Sequence, residues 1–353
     1  MPHQAFRPCW TARCTCLKNT PTTLRAEKNY VPDTVEFRTK PQIGLELIDR
    51  ALANGIRVAA WTFDEFYGHD GKFLDALQER QQTFVAEVPV IFRGWMEKPR
   101  VLRSRPKQRR KRGRAKRYPR IARGRPSSEV RNLLRYSPVF REQAWQRYRI
   151  KDTDKGPLVW EVKHGMFWRK GQNGLPGRRH CLIVARNVLT GEVKYFVSNR
   201  VPGEPGITLR WLLSVAFGRW PVESCFREAK EELGMDHYEA RGWRCVHRHF
   251  YVTQLSQLFC ARMRQEYDHP PDQQHNRLTV EQVRSAMDTW MQAADLKPSL
   301  RRQRYEQELS KQRYYQNRNR QARTSHTKTR VKRLAALGIN VDIIKSCTDR
   351  YPR

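Results

Sequence analysis

The first third of the chain alternates between helical and strand-like hydrophobic patterns. Apolar residues at helical spacing predict helices over 44–55 and 73–80. Two apolar runs, 57–63 and 83–90, are typical of buried strands, and the polar residues 64–71 after the first run predict a turn. A strand, helix, strand order with short connections predicts parallel strands in an α/β sheet. Asp64 then falls at the carboxyl end of a strand, where α/β active sites are usually built.

The part of the chain after residue 157 contains the other predicted strands and helices. Three strands, the last two joined by a hairpin turn, are predicted at 158–168, 180–189 and 192–199. Helices are predicted at 207–218 and 246–267, with a charged helix between them.

The charged segment from Arg219 to Arg241 has acidic and basic residues at helical spacing. Pro221 suits the first helical position, which makes Glu223 a first-turn carboxylate. Glu223 and Lys230 are seven residues, or about two turns, apart, so their side chains project from the same face. Gly218 and Pro221 together predict a kink or a helix break at Arg219.

A second interpretation of this segment is a solvated helix with no chemical role. Pairs at i,i+4 spacing, such as Arg227 with Glu231, are typical of such a helix. Spacing alone leaves both interpretations open.

The charge balance indicates the kind of partner. The chain has 69 Lys and Arg against 35 Asp and Glu, a net charge of +34. Such an excess favours a polyanionic partner, most simply nucleic acid, with an acidic membrane surface as the weaker alternative.

The basic residues are concentrated in two segments. Residues 100–126 have almost no apolar periodicity and predict an arm that becomes ordered only on a polyanion, or else a solubilising linker. Its candidate DNA-binding residues are Arg109, Arg110, Lys111 and Arg112. The helix-prone tail 301–333 could line a nucleic-acid backbone or stay solvated.

The lack of recognisable targeting signals and the scattered cysteines predict a cytoplasmic protein, and its charge predicts an association with DNA. No apolar stretch approaches the roughly 20 residues of a membrane-spanning helix, and the first residues lack the apolar centre of a signal peptide. The eight cysteines are scattered and lack the paired spacing of a zinc ribbon, so reduced thiols are predicted.

Two carboxylates, Asp64 and Glu223, are the candidate catalytic and metal-binding residues. Carboxylates are hard oxygen ligands suited to Mg²⁺ or Mn²⁺, and metal-dependent phosphodiester chemistry needs such ligands. A third acidic group would be wanted for a two-metal site. The chain has no phosphate-binding Gly-rich loop, no HExxH pair and no nucleophile-elbow serine.

Arg219, Glu223 and Lys230 fit a known signature, in which an arginine lies four residues before a glutamate and a lysine seven after it. On these residues the chain resembles the DDE transposases of bacterial insertion sequences, in the group with a tyrosine, arginine, glutamate, lysine signature. Ala216 stands where that signature has its tyrosine.

Two further segments support the resemblance, which covers about 29–264. Asp64 is followed after two residues by Tyr67 and Gly68, as in the family's second-aspartate region. The sequence GMDHYEAR after the helix is similar to the family's glutamate region.

The resemblance implies an α/β fold with an RNase H-like catalytic core, a largely β insertion and C-terminal helices. It implies that Asp64 and Glu223 bind Mg²⁺ or Mn²⁺ and that Arg219 and Lys230 contact phosphate near the cut. The DNA partners would be transposon ends and target DNA, and a homodimer on DNA would fit this role.

One departure from the family concerns its first aspartate, which lies much further upstream of the second than the 63 residues before Asp64 allow. Asp33 has a loop-like context and does not fit that position. The sequence therefore predicts an N-terminally truncated transposase, with an incomplete core that lacks its early strands and with weak or absent strand cleavage. The alternative is a nonenzymatic basic nucleic-acid-binding protein.

These inferences divide the chain into five regions. The predicted regions are an irregular lead (1–32), the first part of the core (33–92), an insertion with the basic arm (93–200), the catalytic and following helices (201–268) and a basic tail (269–353).

Overall fold

The computed structural model describes residues 30–32, 35–104, 118–122, 126–267, 278–344 and 346–347. They form two compact units. The first consists of the described parts of Met1–Leu47 and Trp220–Ser325, and the second of those of Ile48–Arg219 and His326–Arg353. None of the described helices combines the length and apolar character that a membrane span needs.

Up to Ser198 the described elements include both helices and strands, and the described elements after it are helical. The helices are α1 (Lys40–Ala53), α2 (Glu65–His69), α3 (Gly71–Glu79), α4 (Val130–Tyr136), α5 (Pro138–Glu142), α6 (Leu209–Ala216), α7 (Trp220–Glu231), α8 (Trp243–Tyr267), α9 (Val280–Ala293) and α10 (Pro298–Ala336), with a 3₁₀ turn at Phe217–Arg219. The strands are β1 (Trp61–Phe63), β2 (Phe84–Val88), β3 (Arg93–Trp95), β4 (Val101–Leu102), β5 (Arg120–Ile121), β6 (Ser128–Glu129), β7 (Gln146–Thr153), β8 (Gly156–Lys170), β9 (Pro176–Asn187) and β10 (Val193–Ser198).

The second unit is built on an eight-stranded mixed sheet. Its order is β1-β2-β10-β9-β8-β3-β6, and β7 pairs with β8. Strands β1 and β2 are parallel, with Trp61 opposite Phe84, as predicted from the strand, helix, strand order. The other pairs are antiparallel, and the predicted hairpin joins β9 to β10.

Two predictions for the segment before and after β1 were wrong. The apolar run 57–63 forms a strand only at Trp61–Phe63, and Val58 is 38% exposed. The reason is that β1 pairs only with β2 among the described strands, and β2 begins at Phe84, opposite Trp61, so the residues before Trp61 have no ladder to join. The polar residues 64–71 form the helix α2 and the start of α3 rather than a turn, because Asp64 and Asp70 each provide an N-cap.

The core lies between this sheet and α6. Strand β9 contributes an unbroken buried run from His180 to Ala185, typical of a strand covered on both faces. Helix α6 buries Leu212 and Leu213 against the same cluster, and Thr208 caps it by accepting the N–H of Trp211 at 3.1 Å. Each fully buried leucine contributes about 2 kcal/mol to folding, so α6 is held mainly by this face.

The last described residues return to the sheet. Leu334, Ile339 and Val341 form a buried cluster with Val159 of β8. Nearby, the N–H of Cys347 donates to the carbonyl oxygen of Arg149 at 2.9 Å. The end of the chain is therefore part of the second unit.

The described part of the first unit is mainly helical. Cys260 of α8 packs with Val280 and Val283 of α9. Helix α9 begins with a capping box between Thr279 and Gln282, and its Ser285 donates to Glu308 of α10 at 2.6 Å. These contacts make α8, α9 and the first half of α10 one helical assembly.

Gly68 sets how closely α2 approaches the sheet. It is buried, and a Cβ atom built there would overlap the carbonyl oxygen of Glu87 in β2. We expect Gly68→Ala to lower the free energy of unfolding by about 2 kcal/mol, because backbone atoms must move to accept the methyl group. Gly218→Ala is the matched control, since nothing lies within 4 Å of its Cβ position. Urea unfolding of both variants measures the difference, and equal stabilities would contradict the close approach.

Candidate active site

Asp64 lies where the sequence predicts it, directly after β1 and at the carboxyl end of the parallel pair. It is half-buried and is the N-cap of α2, with Oδ1 accepting the N–H of Tyr67 at 3.3 Å. A carboxylate has about four lone-pair positions, and this bond uses one of them. Capping is therefore a sufficient structural reason for Asp64, and it is compatible with metal binding by the same carboxylate.

Aromatic rings fix the backbone around Asp64. The Phe63 and Phe73 rings meet edge to face with centroids 4.9 Å apart, and Tyr67 lies 5.1 Å from Phe73. Such contacts join β1, α2 and α3. Because Phe63 precedes Asp64 and Tyr67 follows it, the packing of these rings positions the backbone on both sides of Asp64.

Two nearby aspartates have structural partners of their own. Asp70 caps α3 by accepting the N–H groups of Lys72 and Phe73 at 2.9 and 3.2 Å. Asp75 pairs at 2.5 Å with Arg169, whose side chain is only 5% exposed. Asp70 repeats the capping chemistry of Asp64 without following a strand, which makes it a natural control.

The charged helix exists, and it begins after the predicted break. Phe217–Arg219 is a 3₁₀ turn, and α7 runs from Trp220 to Glu231. Glu223 lies in its first turn, half-buried, and Lys230 lies exposed in its last turn. Helical geometry places the two side chains on one face about two turns apart.

The solvated-helix interpretation also has direct support. Arg227 and Glu231 lie 3.9 Å apart at i,i+4 spacing, with side chains 61% and 64% exposed. Exposed pairs of this kind contribute little to stability. The pair is therefore a surface feature and gives no evidence of chemistry.

Helix α7 is held against α8 within the first unit. The side-chain amide of Gln257 donates to the carbonyl oxygen of Cys225 at 3.1 Å, and Arg264 lies 3.8 Å from Glu228. Glu223 and Lys230 belong to this unit, whereas Asp64 and Arg219 belong to the second. The pairing of Asp64 with Glu223 in one site is therefore a proposal.

The basic arm is anchored at its base. Val101 pairs with Ile121 and Leu102 with Arg120, which joins β4 to β5. The predicted DNA-binding residues Arg109, Arg110, Lys111 and Arg112 lie outside the described residues, as does Asp33. The ribbon β4–β5 was not predicted, because each of its strands is only two residues long.

The donor chemistry of the two candidate ligands fits a divalent cation. Both are carboxylates, the oxygen donors that Mg²⁺ and Mn²⁺ prefer. Within the described parts of the chain, no three His, Cys, Asp or Glu side chains come together as a metal-binding group.

Comparison with known families supports the enzyme interpretation. Residues 2–157 match a family model described as DDE superfamily endonuclease. The match supports a DDE transposase-like protein with a nuclease- or transposase-type function that acts on DNA. The mixed α/β fold with C-terminal helices is consistent with the RNase H-like core of this superfamily, as predicted. A search of curated proteins found no matching relative.

Proposed function

We propose that this protein is a transposase that nicks DNA at the ends of an insertion sequence and joins the freed ends to target DNA. The observation that supports this most directly is Asp64, a carboxylate at the carboxyl end of β1 inside the region that matches the endonuclease family. The net charge of +34 suits a protein that holds DNA.

In the proposed reaction the protein positions the phosphodiester and the metal. Asp64 and Glu223 would hold Mg²⁺ or Mn²⁺, which would activate water and stabilise the negative charge on the leaving oxygen. Lys230 and Arg219 would contact the phosphates beside the cut through charge-assisted hydrogen bonds. The 3′ hydroxyl freed by the nick would then attack target DNA, forming a new phosphodiester bond as a target bond breaks.

The same proposal covers how the DNA is held and where the protein acts. Arg109, Arg110, Lys111 and Arg112 would bind phosphates further from the cut. A homodimer on DNA would bring two ends together in the cytoplasm.

The cleavage rate is part of the proposal. Two carboxylates hold a divalent cation less firmly than three, because each ligand contributes to binding the ion. We therefore propose a catalytically impaired transposase whose nicking is slow.

The test is a nicking assay on a duplex that carries the terminal repeats flanking this gene, with Mg²⁺ or Mn²⁺. We expect slow nicking that Glu223→Gln lowers by at least about 100-fold, since loss of several kcal/mol of metal-dependent stabilisation has an effect of that size. Glu231→Gln, on the same helix, should leave the rate unchanged. Fast nicking by the unmodified protein would contradict the impairment, and equal rates for the two variants would remove Glu223 from the site.

The nonenzymatic alternative is favoured by two observations: the capping role of Asp64 and the exposed pair of Arg227 with Glu231. Under this alternative, DNA binding weakens with salt, as expected for phosphate contacts. No nicking appears with either metal.

A further inference from the structure

An open cavity of about 680 Å³ lies at the base of the β4–β5 ribbon. One side is formed by the segment leading into and out of β4, and the other by Pro119 before β5 and by the start of β9. The lining residues are Lys98, Pro99, Arg100, Val101, Arg103, Pro119, Leu175 and Pro176. Three of these described residues are cations and none of them is acidic, so the cavity suits an anion.

The backbone of this cavity is fixed by hydrogen bonds and prolines. The N–H of Ala122 donates to the carbonyl oxygen of Arg100 at 2.9 Å, which extends the β4–β5 pairing. On the opposite wall, the N–H of Leu175 donates to the Asn173 side chain at 3.0 Å. A surface that is ordered before binding loses less conformational entropy when a ligand arrives.

The three cationic side chains of the cavity differ in their ion pairing from many arginines elsewhere in this unit. Arg80, Arg93 and Arg169 all pair with carboxylates. Lys98, Arg100 and Arg103 are exposed, and within the described parts of the chain their side chains make no ion pair. Their charges are therefore available to a ligand.

The chemistry of the lining favours a nucleic-acid backbone over a base. Among the described residues that line the cavity there is no aromatic ring for stacking and no Asn or Gln side chain for reading a base edge. Cations beside apolar Pro, Val and Leu surfaces match phosphates beside sugars.

We propose that this cavity binds the phosphate backbone of duplex DNA through Lys98, Arg100 and Arg103. The choice of DNA rests on the proposed function, and the site itself consists only of described residues. The ribbon is thus a fixed contact that positions the duplex on the second unit.

The test is the salt dependence of binding to a fluorescently labelled DNA duplex, measured by anisotropy. Each phosphate contact contributes about 0.9 to the slope of log K against log salt. Replacing Lys98, Arg100 and Arg103 together by alanine should therefore reduce the slope by roughly 2.7. A second variant, Arg100→Lys with Arg103→Lys, keeps the charges and should keep the slope.

The matched control replaces Arg135, Arg141 and Lys155 by alanine. These residues are exposed on the same unit and carry the same total charge, but they lie outside the cavity. We expect this variant to retain the slope of the unmodified protein, and circular dichroism melting should show that all variants are folded.

Equal slopes for the two triple-alanine variants would overturn the proposal. The nicking assay is a separate readout. Nicking with equal slopes rejects the cavity alone, whereas a reduced slope without nicking rejects the enzymatic function alone.

Discussion

Asp64→Asn is expected to lower metal-dependent nicking by at least about 100-fold while leaving the protein folded. Asparagine keeps the side-chain oxygen that accepts the N–H of Tyr67, and it is as good an N-cap as aspartate. It removes only the negative charge that a divalent cation needs. The substitution therefore separates the two roles that the structure allows for this residue.

The control for this experiment is Asp70→Asn. Asp70 caps α3 by the same type of bond, six residues further along the chain. We expect it to change neither nicking nor Mn²⁺ binding to the DNA complex, whereas Asp64→Asn should weaken both. If the two variants behave alike, Asp64 is only a cap and the proposed metal site loses its best-defined ligand.

Acid sensitivity of the second unit is expected to depend on His180. Burial lowers the pKa of His180 to about 4, from an ordinary value of 6.5. Its Nδ1–H donates to the carbonyl oxygen of Arg178 at 2.9 Å, and Arg169 of β8 and Asp75 of α3 act on it electrostatically. The folded protein therefore keeps this imidazole neutral.

The sign of the pH effect follows from where the proton binds. Between pH 6.5 and about 4, the unfolded chain binds a proton that the folded chain does not. The free energy of unfolding then falls as the pH falls, by about 3 kcal/mol in total.

Replacing His180 by phenylalanine should remove this contribution. Urea unfolding at several pH values would show a shallower pH dependence than in the unmodified protein, whatever the change in stability at neutral pH. His69→Phe, at an exposed position on α2, should retain the original dependence. If His180→Phe retains it as well, the buried imidazole is not the source of acid sensitivity.

Local patterns predicted much of the sheet. The runs at 83–90, 158–168, 180–189 and 192–199 became β2, β8, β9 and β10, because each is rich in the apolar residues that the sheet buries. The strands β3 to β6 contain two or three residues each, which is too short to produce a recognisable alternating hydrophobic pattern.

Helix α9 was missed within the region interpreted as a basic tail. Its sequence contains a local signal, Thr279 followed three residues later by Gln282, which forms the capping box. The charge of the surrounding residues obscured that signal. A capping box such as that of Thr279 and Gln282 therefore marks the start of a helix even where the surrounding region is strongly basic.

The candidate site was predictable only in part. Asp64 could be located because a strand end is a local feature, but its capping bond depends on the short helix that follows. Lys98, Arg100 and Arg103 carry no motif, and their cavity forms only when residues about 20 and 75 positions away close it. Long-range pairing of this kind is not encoded in spacing.

The return of the chain end to β8 has a consequence for biosynthesis. Leu334, Ile339 and Val341 cover Val159, yet they are translated about 175 residues later. Until they leave the ribosome, this part of the sheet stays uncovered, whereas residues 220–325 have already been translated. Folding of the second unit is therefore expected to finish after that of the first, although most of its sequence is made earlier.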